Sequence, residues 1–149
     1  MIQSRGITTS DSESIAELLS ESGYADRAIK YFLEKAYMGS LPNANQVTEL
    51  TGPCGDTMKI YLKIEDDRIK DAKMRVLGCA GAVASSMAAI ELIKSMTIDA
   101  ALAIKDRDIY NLLEEIPDQK QDCIRLTIKI LQKAIEEYKS NNINHQQGE

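Results

Sequence analysis

The chain has 149 residues, of which 44% are hydrophobic and 28% charged, with a formal charge of -5. That length suits one domain able to bury roughly 68–70% of its unfolded surface, and that composition excludes a disordered chain. The acidic balance argues against general affinity for phosphate backbones, and so against nucleic acid as a partner.

Residues 1–10 are polar and predict a loose start. From Asp11 to Ser22, Ile15, Leu18 and Leu19 fall at helical spacing, with Asp11 or Ser12 as N-cap and Gly23 as the break. A second helix is predicted from Asp26 to Met38, where Ala28, Ile29, Phe32, Leu33 and Ala36 form an apolar stripe ended by Gly39 and Pro42. Met58, Ile60, Leu62 and Ile64 then alternate with Lys59, Tyr61, Lys63 and Glu65, the period of a half-buried strand. Asp66-Asp67 is a tight turn, and Ala72, Met74 and Val76 return as the second strand of a hairpin; Gln46 to Thr51 supplies a third. Ala82 to Met96 reads as a helix of small and pliable residues that packs close to a sheet. Thr97 caps a short helix through Ala101 and Ile104, Asp106 caps another through Leu113, and a last helix after Pro117 carries Ile124 to Tyr138 on one face. A hairpin alone is marginal in water, so the helices must cover its apolar face. The fold class is α+β, a small three-stranded antiparallel sheet packed against a layer of helices. The expected organisation is an N-terminal extension over 1–22, partly helical, a main domain over 23–140 and a polar disordered tail over 141–149.

No apolar run approaches the ~20 residues of a membrane helix. Met1 to Arg5 has no apolar stretch behind it, so no secretory signal is expected and the cytoplasm is the default compartment. Three cysteines are an odd number, which does not suit a closed disulfide framework. In a reducing compartment they stand either as small buried hydrophobes or as thiols available to a metal.

Local context favours the metal. Cys54 sits in Gly52-Pro53-Cys54-Gly55-Asp56, a turn just before a strand; Cys79 sits in Gly78-Cys79-Ala80-Gly81, between strand and helix; Cys123 falls in the first turn of the last helix. At two helix N-termini the free N–H groups and the dipole favour a thiolate. Asp56, two residues from Cys54, projects to the same side of an extended segment. Three thiolates and one carboxylate would complete a tetrahedral set for zinc, or the outer ligands of an iron–sulfur cluster. The cysteines are separated by 24 and 43 residues, unlike the short pairs of common zinc modules, so spacing by itself decides nothing.

Those contexts resemble the IscU/NifU family of iron–sulfur cluster assembly scaffolds. The resemblance runs from about Gly23 to Lys139 and rests on Gly52 to Met58, Ile69 to Lys73, Gly78 to Ser86, Met96 to Ala101, and Ile116 to Lys120 followed by Cys123. It implies three cysteines converging at one exposed end of an α+β fold. It also implies that a transient [2Fe–2S] cluster is built there from iron and the sulfur of a cysteine desulfurase, then passed to acceptor apo-proteins. Cys54, Cys79 and Cys123 would be ligands and sulfur acceptors, Asp56 the ligand that keeps the cluster labile, and zinc an alternative occupant. The chain would be a scaffold and not an enzyme; a homodimer is left open.

Three departures stand out. Asp122 occupies the position where the family commonly has a histidine, and reads equally as a further metal ligand or as a carboxylate stabilising the helix dipole. Asp56, Asp122 and three thiolates would crowd five negative charges around one centre, so only one Asp is expected to ligate at a time, offset by Lys120 or Lys73. The sole histidine, His145, lies in the polar tail and is not expected in the site. Ile116-Pro117-Asp118-Gln119-Lys120 keeps the Pro and Lys of the family's chaperone-recognition segment but has a polar middle, which argues against handover by a dedicated Hsp70-type chaperone. The second cysteine's usual Gly-Cys-Gly has become Gly78-Cys79-Ala80, with glycine delayed to Gly81. Rival readings are a zinc-bound acceptor of persulfide sulfur and a structural zinc adaptor. The basic row Lys59, Lys63, Lys73 and Arg75 reads as a solvated sheet face rather than a docking patch.

Overall fold

A computed structural model describes residues 2–53 and 55–147, including the side chains of residues 11–53 and 55–141. Its centre is the predicted hairpin. β2 (Thr57–Glu65) buries Met58, Ile60, Leu62 and Ile64 and turns the intervening residues outward. Asp66 and Asp67 make the turn with φ of 54° and 59°, the left-handed pair that a two-residue hairpin requires. β3 (Arg68–Leu77) returns antiparallel, and a register shift at Lys63/Ile64 lets both Ile69 and Ala72 face inward despite their odd spacing. β1 (Gln46–Thr51) pairs with the other side of β2, giving the order β1-β2-β3. The fold is the expected α+β: a three-stranded antiparallel sheet under helices.

α3 (Ala80–Ile93) crosses the inner face of that sheet. It is buried on nearly every side, from Gly81 through Ile90 and again at Ile93, which only small residues such as Ala82, Ala84, Ser85, Ala88 and Ala89 allow. α2 (Asp26–Glu34), α5 (Asp106–Leu113) and α6 (Gln121–Gln147) enclose it, with α4 (Ile98–Leu102) between. Thr97 caps α4 as predicted, its hydroxyl accepting from the Ala100 N–H at 3.1 Å.

Several boundaries differ from the sequence reading. α1 (Ile2–Glu21) includes residues 2–10 of the segment expected to be loose, so Asp11 and Ser12 lie inside it rather than at its start. Once a turn has nucleated, each added residue brings one hydrogen bond, and polar residues extend such a helix without an apolar stripe. α2 stops at Glu34, four residues before the expected Met38, because Lys35 turns left-handed at φ 46° and closes onto the Tyr31 carbonyl. The released Tyr37–Gly39 backbone covers the outer edge of β3, with Met74 N–H donating to Tyr37 and Gly39 N–H to Met74. The cap of α5 is Lys105 rather than Asp106; the Asp108 carboxylate reaches back to accept from the Lys105 N–H at 2.9 Å. α6 runs unbroken to Gln147, across most of the segment expected as a disordered tail.

Candidate metal centre

The three elements that meet at one end of the sheet carry the predicted ligands. The β1–β2 connection turns at Gly55, whose φ of +93° suits glycine, and Gly52 N–H closes the loop onto the Asp56 carbonyl at 2.8 Å. That closure sets Asp56 at the foot of β2. Gly78 lets the end of β3 come close, since a side chain there would stand 2.8 Å from the Asp56 carboxyl carbon. Cys79 follows as the N-cap of α3, in extended conformation. Cys123 lies in the first turn of α6, where the Thr127 hydroxyl donates to its carbonyl at 2.8 Å.

The Cys79 and Cys123 sulfurs are 3.5 Å apart, and Cys79 Sγ lies 3.9 Å from Asp56 Oδ2. One ligand atom from each of the three residues lies within 4.8 Å of the others. A tetrahedral ion with metal–sulfur bonds of about 2.3 Å places its sulfurs about 3.8 Å apart, so these atoms are set for a metal with little movement. Cys123 is buried and Cys79 and Asp56 are partly exposed, which leaves the centre approachable from one side.

The two sulfurs lie within hydrogen-bonding distance, so the titration of each depends on the other. Cys79 is brought down to about 5, first by the hydrogen bond from Cys123, then by the Ala82 N–H and the Lys120 ammonium, against the opposition of burial and Asp56. Cys123 is pushed up by that same hydrogen bond, by burial and by the negative charge of its neighbours. Cys79 is thus the more acidic thiol of the pair and Cys123 the less acidic, and binding a metal to both releases the protons they hold.

Cys54 lies outside the described residues, as does the side chain of His145. Asp122 is not drawn in. Its side chain is 70% exposed and pairs with Arg125 one turn along, as a carboxylate at a helix N-terminus does. Of the two proposed counter-charges, Lys120 faces the sulfurs, while Lys73 sits out on the sheet opposite Tyr61. One site residue escaped the sequence reading. Tyr24 is 7% exposed and has its hydroxyl pushed up to about 12, by burial first and then by Cys79 and Cys123, with a Gly81 N–H counteracting. No motif surrounds it; only the tertiary fold carries it from the α1–α2 turn to the cysteines.

Residues 23–145 match the NifU-like N terminal domain. The chain belongs to that family. It is 37% identical over 120 residues to the iron-sulfur cluster assembly scaffold protein IscU 1 of Archaeoglobus fulgidus, covering 80% of this chain and 78% of that one. It is 41% identical to the iron-sulfur cluster assembly protein IscU of Plasmodium falciparum, over 78% of this chain and 74% of that one. A crystal structure from Fervidobacterium islandicum AW-1, assigned to iron–sulfur cluster assembly for the SUF system, superposes with a TM-score of 0.64 at 26% identity, covering 75% and 96% of the two chains. The NifU-like N-terminal protein of Brucella abortus shares the fold, with a TM-score of 0.65 at 22% identity over 78% and 94%. In this family's terms, the IscU/NifU resemblance of the local motifs is a true membership.

Proposed function

We propose that this chain is a scaffold on which a transient [2Fe–2S] cluster is assembled from iron and desulfurase-derived sulfur and handed to acceptor proteins in the cytoplasm. The observation that carries this reading is the convergence of Asp56, Cys79 and Cys123 from three separate elements within 4.8 Å. Cys54, one residue from the loop glycine Gly55, is the third cysteine of the set. The relatives named as cluster assembly scaffolds support it. So does the donor chemistry: a hard carboxylate among soft thiolates holds cluster iron less firmly than a further thiolate would, as a protein that must release its cargo requires. The chain's own residues supply binding and orientation, with Cys79 as the more acidic thiol and Lys120 offsetting charge. Ile116 is 1% exposed and Asp118–Lys120 form a 3-10 turn leading to Cys123. A folded, polar segment there supports release without an Hsp70-type chaperone gripping it.

The test is anaerobic reconstitution of the reduced chain with iron and sulfide, followed by visible absorbance. Wild type should gain and then lose a charge-transfer spectrum, and Asp56→Ala should retain it several-fold longer. Equal decay in the two removes the role of Asp56. A colourless protein holding stoichiometric zinc replaces the cluster by the persulfide-acceptor reading.

A further inference from the structure

Tyr24 stands apart from the ligand motifs, yet the fold brings its hydroxyl to them. It follows Gly23 in the turn between α1 and α2, and that turn is fastened to the wall of the centre. Ala25 N–H donates to the Glu115 carbonyl at 2.8 Å, and a side chain at Gly23 would meet the Pro117 ring at 3.5 Å. The decisive geometry is at Gly81, in the first turn of α3. A methyl group at that position would stand 3.4 Å from the Tyr24 hydroxyl, 3.4 Å from the Cys123 sulfur and 3.3 Å from Lys120 Cβ. Groups from three elements thus close on one point, and the missing side chain of Gly81 leaves that point open to both phenol oxygen and sulfur. This also accounts for where the glycine of the second cysteine motif sits: the position that cannot carry a side chain freely is 81, while Ala80 is tolerated.

A phenol has one proton to donate, and the fold holds the Tyr24 side chain, 7% exposed, against the first turn of α3. We infer that Tyr24 is a positioning residue of the centre, its hydroxyl donating a hydrogen bond to sulfur of the loaded site across the space left by Gly81. The inference rests on the metal-centre reading above. Hydrogen bonds from outside the ligand set orient ligands and tune the metal, and their loss typically weakens metal affinity roughly 10–100-fold.

The experiment uses the full reduced chain, titrated anaerobically with Co²⁺ and followed by thiolate-to-cobalt charge-transfer absorbance. Tyr24→Phe keeps the buried ring, so its melting temperature should match wild type. Its Co²⁺ affinity should fall about tenfold. Its charge-transfer band should move to longer wavelength, because a thiolate that loses a hydrogen bond gives up its electron more easily. Packing alone would not move that band. Gly81→Ala, which crowds hydroxyl and sulfur apart with Tyr24 still present, should shift the band the same way. Unchanged affinity and band in Tyr24→Phe, with wild type binding cobalt normally, overturn the role of Tyr24 alone. A wild type that binds no cobalt overturns the metal centre itself and this inference with it.

Discussion

At the scale of single residues, the centre is governed by how its thiols share charge. A free cysteine titrates near ~8.5, whereas Cys79 is held at about 5 by the Cys123 hydrogen bond and by Lys120. Only the thiolate is alkylated, so the rate rises with pH as the proton leaves. In the metal-free chain, iodoacetamide modification read at the Cys79 peptide should reach half its plateau near pH 5, and Lys120→Ala should move that midpoint upward. A midpoint of 8 or above in wild type would show that the two sulfurs titrate independently. Asp122 shows how a surface partner competes for a candidate ligand at this scale. Its place just before Cys123 marks it as a ligand candidate, but one helical turn on, Arg125 offers a partner at the surface. An exposed carboxylate takes that solvated pairing at little cost.

At the scale of elements, what matters is how each ligand-bearing terminus is held. α6 is tied to the edge strand by Glu137, which accepts from Thr48 Oγ1 at 2.7 Å and from Gln46 Nε2 at 3.3 Å, and by Lys133, which donates to the Glu49 carbonyl. These contacts lock the helix that carries Cys123 against β1, the strand that leads into the Asp56 loop. The far end of the hairpin is fastened by Ile98 N–H to the Asp67 carbonyl, by Ile69 N–H to the Met96 carbonyl and by Ser95 N–H to the Ile69 carbonyl. Thr97 caps α4 within that loop, and Thr97→Ala should cost about 1 kcal/mol of stability in urea denaturation. Metal affinity should be unchanged, since α4 carries none of the candidate ligands; a stability loss below about 0.3 kcal/mol would mean the cap hydrogen bond contributes nothing. The period-2 strands and the Thr97 cap were legible because each is decided by neighbours in sequence. The early end of α2 at Lys35 was not, since it answers the need of β3 for an edge partner.

At the scale of the whole molecule, the core reaches far beyond Cys123, which is one member of it. Met58, Ile60, Leu62, Ile69, Met74, Met87, Ile90, Ile109, Leu113 and Ile135 are all completely buried, and they join sheet, α3, α5 and α6 directly. Chelation with EDTA should therefore leave the far-UV circular dichroism and a cooperative thermal transition in place, with any fall in melting temperature limited to the lost binding free energy. Loss of helical signal on chelation would make the metal structural. No helix among the described residues is long and apolar enough to cross a membrane. The amino-acid sequence by itself determined the hairpin, the order of helices, the family and the candidate residues Asp56, Cys79 and Cys123, because alternation, caps and glycine-flanked cysteines are written in adjacent residues. Only the tertiary structure decided that the Cys79 and Cys123 sulfurs meet at 3.5 Å, that Asp122 turns to Arg125, and that Tyr24 reaches the centre. Each of those depends on distances between residues far apart in the chain, which packing sets and local pattern does not encode.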